Sequence, residues 1–384
     1  MASAPGLETW YFEEIPADDE DSANDVQANV VSSDPTEHGV ADGDQAQEPG
    51  KPAEATTPTP APLRAAAAAA STPRWICTTL AGTASRPGPA PRGGCTWTKV
   101  GPSKLVLFGG ADMNQRFFQD VHCFNTDTRT WTEARPCGAA PSPRSGHSAV
   151  VLGDSILVFG GMDGERDVTF NDLFELDASS MEWRALPCRD APPRNSHAAV
   201  LEGTTMLVIG GASPDGATGD VYAVDLADRA DLHFRRMETR GRGESGGQAQ
   251  PPHFVMSGRE MHSACLSPAG ARRGEGTGAE KDGAVLVFGG RTVDGVVGDL
   301  FSLDIGSWEW SKLADAPVPR CAHAATFLGD SGVMAVFGGW DGGTTISPDL
   351  LLYDCLSRAW STALLFPPPS GRFAHTVCAT AAGN

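Results

Sequence analysis

Five times along this chain a short apolar run closes on a Gly-Gly pair: LVLFGG at 105–110, ILVFGG at 156–161, MLVIGG at 206–211, VLVFGG at 285–290 and MAVFGG at 334–339. Successive pairs are separated by 51, 50, 79 and 49 residues. Self-similarity at such a period signals a stack of equivalent units, none of which can bury its apolar face alone. Other positions keep the same register. An Asp follows each pair (Asp120, Asp172, Asp220, Asp299, Asp349), then five residues on comes Asn125, Asp177, Asp225, Asp304 or Asp354. Trp131, Trp183, Trp310 and Trp360 stand six residues further, and the third unit offers Phe234 instead. Upstream of the pairs lie Arg144/His147, Arg194/His197, Arg259/His262 and Arg320/His323, with Arg92 and Cys95 in the first unit.

Each unit reads as four short strands. The first follows Pro-Arg, the second ends at Gly-Gly, the third lies between the two Asp positions, and the fourth carries the Trp. One such sheet leaves both faces and both edges exposed, and radial stacking of several sheets removes that exposure. The glycines allow positive φ and close backbone approach, and the Trp supplies apolar area between neighbouring sheets. Gly/Arg/Glu-rich segments at roughly 239–258 and 268–283 account for the 79-residue interval and are expected as flexible surface loops.

The Gly-Gly pair, the following Asp, the late Trp and the period near 50 resemble the kelch family over residues 74–384. The resemblance implies an all-β propeller of four-stranded blades, with five clear repeats and a partial sixth. Kelch rings commonly close by joining strands from both termini. Here such a closing blade would hold the strand near His375–Ala379 and the Trp75 strand, without its middle two, or else the ring closes differently, with five blades. The resemblance is specific for fold and far less so for function.

Residues 1–73 form a separate region. They are rich in Ala, Pro, Asp, Glu, Ser and Thr, and too poor in apolar bulk to offset chain entropy, so a disordered leader is expected. Of the formal charge of −19, residues 1–64 carry −12, from fourteen acidic residues against Lys51 and Arg64. An acidic chain argues against nucleic acid as a partner. No apolar run is long enough for a membrane helix, and the N-terminus lacks the pattern of a secretory signal. Nine cysteines without a CxxC pair predict reduced thiols in the cytoplasm, or the nucleus.

No catalytic, metal or cofactor set separates from the repeat background. The repeat histidines fall one to a blade, too far apart to converge. GEGTG at 274–278 lacks the Lys-Ser/Thr of a phosphate loop. Galactose-oxidase-like copper chemistry on such propellers needs tyrosine ligands, and the chain has three Tyr in all. The expectation is therefore not an enzyme but an interaction scaffold or adaptor, possible roles including a trafficking or signalling effector. The alternative is a small-molecule enzyme or sugar-binding propeller.

Candidate protein-binding residues come from two sources. Arg144, Arg194, Arg259, Arg320 and Arg372, with Arg92, occupy one repeated position and should form a ring near one mouth of the channel. There they either bond neighbouring carbonyls or bind acidic peptide segments. Arg116, Phe117, Phe118, Arg166 and Trp340 lie in irregular loops and have the residue types of interface hot spots. The partner is another protein or peptide of unknown identity. A weak intramolecular contact is also expected between the acidic leader, through Trp10-Tyr11-Phe12-Glu13-Glu14, and the arginine ring.

Overall fold

The computed structural model describes residues 9–15, 74–80, 88–241, 255–268 and 283–379. These residues contain no helix and build five antiparallel blades, each with strands a to d in sequence order from the axis outward. Blade I comprises Thr96–Val100, Lys104–Phe108, Val121–Asn125 and Thr130–Ala134. Blade II comprises Ser148–Leu152, Ser155–Phe159, Leu173–Asp177 and Glu182–Leu186. Blade III uses Ala198–Glu202, Thr205–Ile209, Val221–Asp225 and the short Arg235–Arg236. Blade IV uses Ser263–Leu266, Ala284–Phe288, Leu300–Asp304 and Glu309–Lys312. Blade V uses Ala324–Phe327, Val333–Phe337, Leu350–Asp354 and Ala359–Phe366. The a strands of successive blades touch around the axis. The b–c loops and the segments leading into each a strand share one side, called here the loop face. The a–b and c–d turns share the other, the turn face.

The second Asp or Asn of each repeat makes the turn-face corner. Asp177 accepts the amides of Ser179 and Ser180 at 2.9 and 2.8 Å, and Asp304 accepts Ser307 N at 2.8 Å. An Asp placed there satisfies the amides of the tight turn between c and d.

The seams between blades explain the Gly-Gly pairs. The amide of the second Gly donates to the Arg carbonyl of the next blade at every seam: Gly110 to Arg144, Gly161 to Arg194 and Gly211 to Arg259 at 2.8 Å, and Gly290 to Arg320 at 2.9 Å. Gly160 has φ +63°, and a Cβ there would lie 2.6 Å from the Arg194 oxygen. Gly161, at φ +94°, would meet the Cβ of His147 at 2.8 Å. A side chain at Gly160 would push against the next blade, and one at Gly161 against the segment that leads into its own first strand. At two seams the b-strand Phe before the pair packs on the d-strand Trp of the following blade, Phe108 on Trp183 and Phe288 on Trp360, both at 5.0 Å between ring centroids. In the third blade Phe234 takes that place, stacked on Phe159 at 4.8 Å.

A ring of backbone hydrogen bonds joins the blades at the loop face. Gly146 N donates to Gly94 O, Ser196 N to Gly146 O, Met261 N to Ser196 O and Ala322 N to Met261 O, all at 2.7–2.8 Å. Ala374 N then bonds Ala322 O at 2.7 Å, and Gly94 N bonds Ala374 O at 2.9 Å. The ring thus closes over six positions while only five carry a four-stranded blade. The segment around His375 fills the sixth without forming the strand the sequence predicts, with Gly339 N bonded to Arg372 O at 2.8 Å as at any other seam. The Trp75 strand does not join it. Arg74–Leu80 runs parallel to the outer strand of blade V, pairing Arg74 with Leu364 and Ile76 with Phe366. Without the middle strands there is no ladder in the sixth position for it to extend, whereas blade V offers an open edge. Blade I compensates for the absent neighbour from within: Trp97 packs edge-on against Trp131 at 5.0 Å.

The leader differs from expectation as well. Thr9–Ile15 forms a strand antiparallel to Arg74–Leu80, Thr9 opposite Leu80 and Ile15 opposite Arg74. It therefore lies at the outer edge of blade V and not over the arginine positions. An edge strand offers unpaired backbone groups, while the arginines, shown below, are already bonded. The rest of the leader, residues 16–73, lies outside the described residues. So do 242–254 and 269–282, the greater parts of the two insertions. Their flanks are built into the fold: Arg240–Gly241 pairs parallel with the d strand of blade IV, and Met256 is buried in the seam between blades III and IV.

Candidate functional site

The repeated arginines do mark one equivalent place per blade, each turned into its own sheet just under the loop face. Arg144 is fully buried; its guanidinium donates to Asp172 at 2.6 and 3.1 Å and to the Gly160 carbonyl at 2.9 Å. Arg259 repeats this with Asp299 at 2.6 and 3.0 Å and Gly289 O at 3.0 Å. Arg92 pairs with both oxygens of Asp120. The first Asp of each repeat is therefore the arginine's partner, a pairing visible in the sequence as two positions in fixed register. Two parallel bonds to a carboxylate hold a guanidinium tightly, and Phe118 and Phe170 cover Arg92 and Arg144 at 3.9 and 4.1 Å.

Three positions depart. Arg194 has a single bond to Asp220, 3.3 Å long, because Asp220 is drawn to Arg236 at 2.6 and 3.0 Å. Arg320 bonds Gly338 O at 2.9 Å and Ser347 Oγ at 3.4 Å rather than Asp349. Arg372, at the sixth position, bonds Ser370 and lies 6.0 Å from the Phe337 ring.

The histidines fill the seams. Three reach back to the first strand of the preceding blade: His147 to Thr96 Oγ1 at 3.0 Å, His197 to Ser148 Oγ at 2.8 Å and His323 to Ser263 Oγ at 2.9 Å. Blade III has Ala198, without a hydroxyl, at the equivalent position, and His262 bonds Ile209 O at 3.1 Å. Burial, aided by charged neighbours such as Arg144, lowers the imidazoles of His147, His197 and His262 to about 3 and that of His375 to about 4. All are neutral in neutral solution. Among the described residues no three His, Cys, Asp or Glu side chains gather as a metal site. GEGTG at 274–278 lies outside those residues.

The loop face carries the other candidates. Arg116 and Arg166 are exposed, Phe117 and Trp340 half-buried, and Phe118 buried. Phe117 packs towards Gly164 of the next loop, joining the b–c loops of blades I and II. The Trp340 indole N–H is bonded to Gly343 O at 2.9 Å within its own loop. Sequence reasoning missed the exposed apolar side chains beside them. Met113 and Val293 are 94% and 95% exposed, and Val168 and Ile346 are exposed in the equivalent loops. Val318 and Phe373, in segments leading to the next ring position, add to the same face. The turn face shows Leu356, and the outer edge of blade V shows Leu364 and Phe366. These loops differ from blade to blade, so no register pointed to them.

Two cavities lie near the axis and the loop face. One, about 380 Å³, is the channel between the a strands, lined by Val151, Leu201, Leu266 and Phe327 among others. The second, about 450 Å³, lies over Arg194 in blade III. No helix among the described residues is long and apolar enough to cross a membrane.

Comparison with known proteins follows the same units. The KLHDC2/KLHL20/DRC7 Kelch-repeats domain model matches residues 71–255 and 247–383. The chain is 30% identical over 281 residues to host cell factor homolog hcf-1 of Caenorhabditis elegans, covering 66% of this chain and 32% of that protein. It is 41% identical over 122 residues to acyl-CoA-binding domain-containing protein 4 of Arabidopsis thaliana, covering 31% of this chain and 18% of that protein. With Kelch domain-containing protein 3 of Homo sapiens it shares 27% identity over 251 residues, 64% of this chain and 59% of that protein. The chain therefore matches less than two thirds of the length of each of these relatives.

Proposed function

The chain belongs to the kelch-repeat family, and on that premise we propose that it is a protein–protein interaction scaffold or adaptor working through its loop face. The observation that carries this reading is the concentration there of exposed apolar side chains, Met113, Val168, Val293 and Ile346, among exposed Arg116, Arg166 and Arg291. Apolar side chains rimmed by charge suit a protein partner: burying them gives affinity, and the arginines give orientation. The seams are filled by residues that serve the ring, which leaves recognition to the loops. In its finer form the reading is a trafficking or signalling effector in the cytoplasm or nucleus. Eight cysteines stand as free thiols, which favours a reducing compartment.

Capture of binding proteins by the full chain tests the face. Met113→Asp with Val293→Asp should lose the captured set, and Leu356→Asp on the turn face should retain it. The reverse pattern would move recognition to the turn face and end this reading.

A further inference from the structure

The outer edges of the blades are closed in different ways. In blades II and IV a two-residue stretch lies parallel on the d strand, Cys137–Gly138 beside Glu182 and Trp183, and Arg240–Gly241 beside Glu309 and Trp310. Stretches that short offer little for a further strand to extend. Blade V is built outward by two full strands, Arg74–Leu80 and then Thr9–Ile15, giving a six-stranded sheet. Among the described residues no strand pairs with the outer side of Thr9–Ile15. A strand of seven residues with unpaired N–H and C=O groups is a template for another strand. TWYFEEI holds neither the Pro nor the Lys that commonly blocks such an edge.

The two charges of that strand, Glu13 and Glu14, select among the strands that could pair with it, and its own sequence suits it. In an antiparallel pair with Phe12 opposite Phe12 of a second copy, Glu13 stands opposite Tyr11, Glu14 opposite Trp10 and Thr9 opposite Ile15. No like charges meet, and aromatic positions oppose each other at the centre. A parallel pair in register would set Glu13 and Glu14 against themselves. The antiparallel arrangement is isologous, so a two-fold axis at Phe12 closes the assembly at two copies and leaves neither sheet with a long open edge. Register also brings an apolar row to this edge: exposed Leu364 and Phe366 share a sheet face with Ile76 and Ile15.

We propose that the outer edge of blade V is a docking surface for a second copy of this chain, the two Thr9–Ile15 strands pairing antiparallel about a two-fold axis at Phe12. The two sheets then become one continuous sheet. The pairing uses the outer edge and not the loop face, so it goes beyond the adaptor reading and does not rest on it. A dimer of this kind carries two loop faces, and a partner that reaches both binds with avidity.

Sedimentation equilibrium of the full chain over a wide range of concentration tests the pairing. The expected result is an equilibrium of monomer and dimer with no larger species. Phe12→Lys sets two cations against each other at the axis and should weaken association about tenfold. Trp10→Lys makes the same chemical change two residues away but sets each cation opposite Glu14 of the second copy, so association should be kept or strengthened. A monomer at every concentration, growth beyond the dimer, or an equal response to the two lysines would overturn the proposal. No other protein takes part in this measurement, so its failure leaves the loop-face reading intact; that reading stands or falls on the Met113 and Val293 capture experiment.

Discussion

The seams between blades and the loop face above them are made on opposite terms. Every seam uses the same backbone and His parts, a Gly amide on an Arg carbonyl and a buried His against the preceding blade, and fills the space beside them with large apolar side chains such as Phe108 on Trp183. The exposed side chains of the loop face differ from blade to blade, with Met113 in one loop, Val293 in another, and Phe117 bridging two. Repetition here marks what holds the ring together, and irregularity marks what is free to recognise a partner. Changes in the seams should therefore alter stability, and changes on the loop face should alter binding and leave stability alone.

The largest separation between the two regions should come with acid. Unfolded imidazoles take up protons below about 6.5, while His147, His197 and His262 stay neutral in the seams down to about 3, and His375 to about 4. The unfolded state then binds more protons, so stability is full above the unfolded value and falls as pH drops below it. At pH 5 each of these groups should remove about 2 kcal/mol. Denaturant titrations at pH 7 and pH 5 measure the sum, and an unchanged midpoint would contradict neutral burial.

Next in size is the Arg144–Asp172 pair, whose arginine is buried and whose carboxylate is partly exposed. Arg144→Met removes its bonds to Asp172 and to the Gly160 carbonyl and should lower stability by about 2 kcal/mol. Arg116→Met, on an exposed loop-face side chain, should change it by less than about 0.5 kcal/mol. Equal effects in thermal unfolding would break the distinction between seam and face.

Two glycines with the same φ of +63° sharpen it further. Gly160→Ala meets the Arg194 oxygen across a seam, whereas Gly153→Ala, on a turn, meets nothing within 4 Å. Left-handed strain alone accounts for about 1 kcal/mol at Gly153, and Gly160 should exceed it by at least the same again. The smallest expected effect is at the face itself: Met113→Asp with Val293→Asp should shift stability by no more than about 0.5 kcal/mol.

The same contrast decides what the sequence could reveal. The Gly-Gly pairs, the Asp corner residues and the Trp strands were readable because each has one job repeated at one spacing. The arginines were readable as a ring but not in their orientation. Asp120, Asp172 and Asp299 stand in register with them, and that pairing was the available signal. Trp75 was misplaced because the sequence shows that the middle strands are missing but not which other edge its strand then takes. Met113, Val293 and the cavity over Arg194 were not legible, since a loop that departs from its siblings has nothing to be aligned with.

The account rests most heavily on the loop face being the binding surface, and site-specific photocrosslinking tests it most directly. A benzophenone side chain at Met113, Val168, Val293 or Ile346 should yield adducts with partner proteins in cells. The same group at Asp154 or Leu356 on the turn face should yield none. Adducts from the turn-face positions, with none from the four loops, would contradict the account.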